Sequence, residues 1–286
     1  MLNITQSVRT LQRSLERSWK LYGLSHEGNC TAESLAPSVR GALKGAWTSE
    51  ERSWIDRIEQ LRTEMNASSA RLARIDYGAG DPESQWTPEQ MRAGVDTEDT
   101  LGHISRLASK PPFWCGLLFE LIRTVHPRSC IELGTAVGIS AAYQGAALRL
   151  NGGGALVTLE GATSLATIAR NNIRKLGLET VDVVTGRFED TLPHVLASRK
   201  PVDYVFVDGH HDEHATVGYF DQLLPFLTEI SLLVFDDIAW SDGMKRAWRR
   251  IAQRAEVEVA VDLGPVGLCV IDRTVAAQRY FAIPLS

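Results

Sequence analysis

Short apolar runs alternate with segments of helical spacing along the second half of the chain. Continuous apolar runs bounded by turn residues are typical of buried strands in a parallel sheet. We predict strands at residues 130–133, 155–160, 181–185, 202–208, 230–236, 257–261 and 266–271. We predict helices between them at residues 141–150, 164–176, 192–198, 215–227 and 243–255. This alternation predicts a doubly wound α/β sheet, and the last two strands must pair antiparallel because only the short turn at Gly264-Pro265 joins them.

The first part of the chain has a weaker pattern. Residues 4–22 have apolar positions at helical spacing and predict an amphipathic helix. Residues 23–47 are rich in Gly, Ser and Pro, which predicts an irregular connector with at most a short helix near its end. A second helix is expected to begin at Thr48, because Glu51 three residues later completes a capping box. Its apolar stripe consists of Trp54, Ile58, Leu61 and Met65.

A long polar stretch separates these helices from the sheet. Residues 74–100 are rich in turn residues, which predicts a loop that is either a functional flap or a plain linker. We therefore divide the chain into a helical N-terminal extension, residues 1–100, and a main domain, residues 101–286. The extension is interpreted as a packing or dimerisation element, with a substrate lid as the alternative. Its two apolar stripes predict a homodimer.

Composition and charge narrow the classes of protein. The chain is 44% hydrophobic and 23% charged, which is ordinary for a soluble globular protein. The net charge of −5 disfavours a nucleic-acid partner. We expect no membrane partner, since the sequence has neither an apolar run of spanning length nor a signal-peptide core. The four cysteines lack any CxxC spacing and are interpreted as reduced, buried thiols of a cytoplasmic protein.

The stretch SCIELGTAVGIS, residues 129–140, combines a strand, a glycine turn and a helix start. Gly134 and Gly138 allow close approach to the backbone, and a helix N-terminus offers free N–H groups, so this arrangement predicts a nucleotide-type pocket. The acidic Glu132 would repel a diphosphate and favours a cationic nucleoside. The simpler interpretation is a tight turn with a satisfied helix cap.

Acidic residues end most of the predicted parallel strands: Glu132, Glu160, Asp208, Asp236 and Asp237. Ligands of such sheets bind at the carboxyl ends of the strands. A carboxylate at Glu160 suits the two hydroxyls of a ribose, a feature that NAD-binding folds share. The spacing Gly134-x-x-x-Gly138 differs from G-x-G-x-x-G, which disfavours a dinucleotide.

Five segments resemble, in order and spacing, class I S-adenosylmethionine-dependent O-methyltransferases of the catechol and macrocin O-methyltransferase-like group: IELGTAVGIS, LVTLEG, VDVVTGRFED, YVFVDGHH and LLVFDDIAWS. The resemblance covers residues 109–272. It implies a Rossmann-like sheet of seven strands with the last strands antiparallel, and S-adenosylmethionine as cofactor. The residues that it implies for cofactor binding are Glu132, Gly134, Thr135, Gly138, Ser140, Glu160, Gly161, Gly186, Arg187, Phe188 and Asp208.

The same resemblance implies a divalent cation, Mg2+ or another, with Asp208, Asp236 and Asp237 as ligands. In the catechol type a lysine three residues after the first metal aspartate is the general base, and His211 holds that place here, as in macrocin-type enzymes. The chemistry of the residues agrees. Three carboxylates at adjacent strand ends repel one another unless a cation lies between them. A hydroxyl bound to a dication has a lowered pKa, and an imidazole beside it can take the proton.

Each of these residues also has a simpler interpretation. For Asp208 it is contact with the cofactor alone or a helix cap, and for Asp236 and Asp237 it is capping of the helix near Ser241. Another alternative is that the nearby histidine cluster binds a transition metal or forms a solvated loop; it consists of His210, His211, Asp212 and His214. Trp240 is interpreted as facing the acceptor, or as covering the core.

These observations predict a methyltransferase that acts on a hydroxyl of a small molecule, natural-product or sugar-like. Asp208 and His211 are the predicted catalytic residues. The nearest alternative is a metal-independent N- or carboxyl-methyltransferase on the same fold. An alternative of another class is a non-catalytic cofactor-binding or interaction protein that works through its N-terminal helices.

Overall fold

The computed structural model of the protein describes residues 16–26, 30–78, 80, 86–275 and 277–285. Its N-terminal part contains helices and a two-stranded ribbon: α1 (residues 16–24), α2 (Cys30–Lys44), α3 (Ser49–Asn66), β1 (Arg71–Asp76), α4 (Pro88–Ala93), β2 (Val95–Thr100) and α5 (Leu101–Ala108). Residues 4–15 of the predicted first helix lie outside the described residues. The predicted start of the second helix is confirmed, because Thr48 Oγ1 accepts a hydrogen bond from the Glu51 N–H and Glu51 Oε2 accepts one from the Thr48 N–H.

Two predictions for this part were wrong. The expected irregular connector is the helix α2, which includes Pro37. Its composition lowers helix propensity, but Leu35 and Val39 are fully buried where α2 packs on α6, and this packing outweighs propensity. The expected loop over residues 74–100 contains the end of β1 and all of α4 and β2, and the strands pair antiparallel from Arg71 opposite Thr100. The ribbon carries few apolar residues, so periodicity alone did not reveal it.

From residue 112 onward helices and strands alternate. In chain order the elements are α6 (Pro112–Val125), β3 (Ser129–Leu133), α7 (Ile139–Leu150), β4 (Ala155–Glu160), α8 (Thr163–Leu176), β5 (Val181–Thr185), α9 (Phe188–Arg199), β6 (Val202–Val207), α10 (Glu213–Leu223), β7 (Leu227–Phe235), α11 (Asp242–Ala252), β8 (Val257–Asp262), β9 (Gly267–Asp272) and β10 (Arg279–Ala282).

The strands form one sheet in the order β10-β8-β9-β7-β6-β3-β4-β5. The predicted doubly wound sheet is confirmed, as is the antiparallel pairing of β8 with β9. β9 also runs antiparallel to β7. The short strand β10 pairs parallel with β8 and is an eighth strand that the sequence pattern did not indicate.

Two apolar layers cover the sheet. The first layer includes α2, α3 and α6, which contribute buried residues such as Leu35, Ile58 and Phe119. Leu192 and Phe220 place α9 and α10 in the second. The N-terminal helices therefore share an apolar layer with the sheet. No described helix combines the length and the apolar character needed to cross a bilayer.

Three of the predicted buried thiols are confirmed as buried and free: those of Cys115, Cys130 and Cys269. The side chain of Cys30 lies outside what the structure describes.

The strand order along the sheet reverses at β3, which has β4 on one side and β6 on the other. The register places Leu133 opposite Val207, and Val207 opposite Phe235. The residues that follow these strands therefore meet at one edge of the sheet, which is where doubly wound folds bind ligands.

Candidate active site

The turn after β3 is built against both neighbouring strands. The N–H of Gly134 donates to Leu159 O at 3.0 Å, and the N–H of Asp208 donates to Leu133 O at 2.8 Å. Gly134 has φ of 102°, and a Cβ at this position would overlap the carbonyl oxygen of Asp208. Glycine is therefore required here by both the backbone angle and the space.

Glu160 closes the far side of this turn. Its two carboxylate oxygens accept hydrogen bonds from the N–H groups of Ala136, at 2.8 Å, and Ala162, at 2.9 Å. Burial raises the pKa of Glu160 to about 7, although these two hydrogen bonds favour the charged form. The predicted ribose-binding acid thus lies at the rim of the turn with its orientation fixed by the backbone.

Glu132 lies beneath the turn and is completely buried. Gln144 Nε2 and Thr158 Oγ1 donate hydrogen bonds to its carboxylate at 2.6 and 2.5 Å. Burial raises the pKa of Glu132 to about 7 against the effect of these donors. These hydrogen bonds tie the buried carboxylate to α7 through Gln144 and to β4 through Thr158.

One cavity of about 540 Å3 joins the turn to the acidic strand ends. Six of the predicted cofactor-binding residues line it: Gly134, Glu160, Gly161, Arg187, Phe188 and Asp208. The cavity lining does not include Glu132, Thr135, Gly138, Ser140 or Gly186, and their contact with a cofactor stays a prediction.

The acidic side of the cavity brings together Asp208, His211 and Asp237. His211 Nε2 lies 3.8 Å from Asp208 Oδ1, and His211 Nδ1 lies 3.7 Å from Asp237 Oδ2. One donor atom from each of the three residues falls within 4.8 Å of the others, a spread that a single metal ion can bridge. Burial raises the pKa of Asp208, and the charges of Lys110 and His211 act in the opposite direction.

Backbone strain is concentrated around this cavity. Ala136, His210, His211 and Asp237 have φ values of 47°, 66°, 42° and 51°, and all four residues line the cavity. Such angles cost free energy in residues other than glycine and occur often at functional sites, where the surrounding structure enforces them.

Lys110 is a member of the acidic cluster that sequence reasoning missed. Its Nζ contacts Oδ2 of the buried Asp236 and lies 3.7 Å from both Asp208 Oδ1 and Asp237 Oδ2. An ammonium group, rather than open space, therefore faces Asp236, whose role as a metal ligand stays a prediction. The signal in the sequence was faint, a lysine before the two prolines that start α6.

The structure also bears on two of the simpler interpretations, the capping of α11 and the histidine cluster. Ser241, not Asp236 or Asp237, caps α11, since its Oγ accepts the Met244 N–H at 3.1 Å. The histidine cluster does not assemble, because its members have separate partners. His210 is buried against Tyr219, Asp212 caps α10 and His214 is exposed, which leaves His211 facing the carboxylates.

The N-terminal ribbon and the residues that follow β1 supply part of the cavity wall. Tyr77 and Trp86 line it, and the ring of Tyr77 lies directly over Gly161. The guanidinium of Arg187 is 6.0 Å from the centre of that ring. Trp240 lines the acidic end, with its ring centre 6.3 Å from that of His211, and its contact with an acceptor stays a prediction.

Comparisons with known proteins agree with this arrangement. A family model described as a methyltransferase domain matches residues 131–238. A catechol O-methyltransferase from Niastella koreensis is 32% identical over 120 residues, which are 41% of this chain and 52% of that protein. Protein-L-isoaspartate O-methyltransferase 1 from Archaeoglobus fulgidus is 31% identical over 130 residues, 45% of this chain and 57% of that protein. The chain thus spans about half the length of the curated relatives it matches.

Solved structures show the same fold. The O-methyltransferase TomG from Streptomyces achromogenes, involved in tomaymycin synthesis and crystallised in complex with SAM, is 25% identical with a TM-score of 0.50. The match covers 58% of this chain and 82% of that one.

Proposed function

We propose that the protein transfers a methyl group from S-adenosylmethionine to a hydroxyl group of a small molecule, since residues 131–238 match a family model described as a methyltransferase domain. The observation that carries the proposal is the single cavity that joins Gly134 and Glu160 to Asp208, His211 and Asp237. One end has the features of a nucleoside site, and the other has the groups that a proton transfer requires.

The charges of the cavity support this cofactor. When bound, S-adenosylmethionine supplies a methyl group on a positively charged sulfur and carries no phosphate. Among the described residues that line the cavity, the arginines and the lysine are all paired with carboxylates: Arg74 with Asp76, Arg187 with Glu189 and Lys110 with Asp236. A diphosphate would lack a partner here, whereas the carboxylates at the strand ends attract a cation.

His211 is positioned for proton transfer. We assign it as the base that takes the proton of the acceptor hydroxyl, and Asp208 and Asp237 as the carboxylates that stabilise the resulting imidazolium. In such a transfer the acceptor oxygen would use its own electron pair to bond the methyl carbon, and the electron pair of the broken carbon–sulfur bond would stay on sulfur, which gives S-adenosylhomocysteine. The cavity walls contribute by holding the two reacting groups together.

The cluster also fits a divalent cation. Asp208 and Asp237 would hold it, since Mg2+ is often bound by one or two carboxylates and keeps several waters. The three aspartates and the ammonium of Lys110 together have a net charge of −2, which one dication would balance. When bound, such an ion lowers the pKa of a coordinated hydroxyl.

A second candidate is metal-independent methyl transfer on the same fold, to a nitrogen, a carboxylate or a hydroxyl. The observation that favours it is Lys110, because its ammonium already offsets part of the charge of the aspartates. Chelation separates the two candidates, since only the metal-assisted reaction is lost with EDTA.

The experiment is a calorimetric titration of S-adenosylhomocysteine followed by a transfer assay. The assay uses S-adenosylmethionine labelled in the methyl group and a panel of catechols, phenols and glycosides, with Mg2+ and then with EDTA. We expect cofactor binding, and for His211→Ala a loss of transfer of about a hundredfold or more with cofactor affinity unchanged. His214→Ala is the matched control, because His214 is close in sequence but exposed.

Three outcomes would contradict the proposal. Failure to bind S-adenosylhomocysteine would remove its basis. Full activity in His211→Ala would exclude that residue as the base. Cofactor binding without transfer to any acceptor would favour the non-catalytic alternative.

A further inference from the structure

Lys110 brings a positive charge into the acidic cluster from outside the strand ends. It lies between α5 and α6, and its Nζ approaches the same oxygens of Asp208 and Asp237 that His211 faces. Its ammonium contacts Asp236, whose side chain is 2% exposed, while the side chain of Lys110 is 16% exposed. A charge pair so well removed from water acts strongly on its neighbours.

The backbone of Lys110 is held in place by a second set of contacts. Its carbonyl oxygen accepts hydrogen bonds from Arg62 Nη1 at 2.7 Å and from Cys115 Sγ at 3.4 Å. Arg62 is itself buried and paired with Glu59 at 3.0 Å, and Tyr143 donates to the same glutamate. The residues after Lys110 are Pro111 and Pro112, whose φ angles are restricted. The lysine is therefore positioned by the fold, unlike a mobile surface side chain.

The position of the Lys110 ammonium affects how a divalent ion can bind in the cluster. Lys110 Nζ is equally far, 3.7 Å, from the carboxylate oxygens of Asp208 and Asp237 that would hold the ion. An ion placed between those oxygens would be a near neighbour of the ammonium. Like charges at such short range repel strongly when little water screens them.

We propose that Lys110 is a built-in cation of the cluster, which satisfies Asp236 and limits how tightly Asp208 and Asp237 bind a divalent ion. The inference deepens the proposed function, on which it rests, by assigning a residue that sets the metal affinity of that site. Removal of the ammonium leaves three negative charges in the cluster in place of two. The free protein should then bind a dication more tightly, with no cofactor or acceptor present.

The test is a set of charge-matched variants titrated with Mn2+ by calorimetry at pH 8. Lys110→Met keeps the length of the side chain and removes its charge, and Asp236→Asn removes the opposite charge. We expect Lys110→Met to bind Mn2+ about tenfold more tightly than the wild type, and Asp236→Asn about tenfold more weakly. The double variant has the wild-type charge balance and should bind within about threefold of the wild type. Lys175→Met is the control, since Lys175 is an exposed lysine paired with Glu64.

The double variant also guards against misfolding, because it leaves no buried aspartate without a partner. If Lys110→Met alone fails to fold, the comparison becomes Asp236→Asn against the double variant, where loss of the ammonium should again tighten binding about tenfold. Equal affinities across the set, weaker binding without the ammonium, or no Mn2+ binding by any variant would overturn the inference. Binding of S-adenosylhomocysteine by the same proteins is measured in parallel, so a failure here is distinct from a failure of the proposed function.

Discussion

Two glutamates of the site have pKa values near 7 because burial favours their neutral forms. Glu132 has hydrogen-bond donors on both oxygens, and Glu160 accepts two backbone N–H groups, yet desolvation exceeds these contributions in both cases. The folded protein therefore retains protons that the unfolded chain releases. Each carboxyl group makes the stability of the fold depend on pH in the range where methyl transfer would be assayed.

Glu132→Gln should change that dependence. The pKa of Glu132 is about 7 in the fold and 4.5 as an ordinary value, so the folded state binds more protons between these pH values and stability falls as pH rises through them. Above pH 7 the full cost applies, about 3 kcal/mol at 1.4 kcal/mol per pKa unit. The wild type should lose this free energy of unfolding as the pH rises from 5 to 8, whereas the variant should not. The difference in unfolding free energy, measured with denaturant at each pH, should therefore shift in favour of the variant.

The matched control is Glu64→Gln, because Glu64 is a more exposed glutamate on α3. Glu160 gives the wild type a second contribution of the same sign, so the variant should flatten the profile without abolishing its slope. Parallel profiles for Glu132→Gln and the wild type would show that this carboxyl group does not titrate as described.

At the scale of elements, the ribbon of β1 and β2 forms part of the cavity wall. Ser164 Oγ of α8 donates a hydrogen bond to the carbonyl of Ala73 at 3.2 Å, which ties the ribbon to the sheet. Tyr77 follows β1, and its ring covers Gly161 so closely that a Cβ at that glycine would overlap it. The ribbon therefore brings an aromatic face to the strand end that carries Glu160.

Tyr77→Ala should weaken cofactor binding. The ring lies close to both Gly161 and Arg187, which are predicted to contact the nucleoside, and loss of an aromatic contact of this size costs about 1 kcal/mol or more. We expect the dissociation constant of S-adenosylhomocysteine to rise about tenfold by calorimetry, with Tyr77→Phe close to the wild type. An unchanged affinity in Tyr77→Ala would place the cofactor away from the ribbon.

At the scale of the whole molecule, the described residues of α2 and α3 bury much of their apolar surface within the chain. Ile55, Ile58 and Leu61 of α3 are buried in the first apolar layer. The stripe expected to form a dimer interface is therefore largely occupied by the protein's own core. In α1, by contrast, Trp19 is 74% exposed and Tyr22 57% exposed, and their rings pack edge to face 6.4 Å apart.

We predict that a homodimer forms through this aromatic pair. The double variant Trp19→Glu/Tyr22→Glu should be monomeric by light scattering at about 50 μM, because two like charges on each copy oppose the burial of the patch. Leu107→Glu is the control, since Leu107 is also exposed but lies on α5. A wild-type monomer at this concentration would exclude the homodimer.

The sequence by itself determined the alternation of strands and helices from β3 to β9 and the edge of the sheet at which the site lies. Buried parallel strands have continuous apolar cores, so the seven strands from residue 130 could be recognised locally. Thr48 and Glu51 cap a helix across a single turn, and Gly134 is needed where a backbone turn allows no side chain. Acids at the ends of parallel strands meet at one edge whatever else the chain does, which is why Asp208 and Asp237 could be paired in advance.

Only the tertiary structure decided what those residues contact. Lys110 reaches the cluster across a large separation in sequence, and no periodicity encodes that contact. His210 and His211 are adjacent, yet one faces Tyr219 and the other faces the carboxylates, because strained backbone angles set their directions. Glu132 lies below the turn and not in the cavity, since the depth of a side chain depends on everything packed above it. Local pattern specifies the buried strands and the capped helix, whereas long-range packing decides elements such as α2 and specifies which atoms meet.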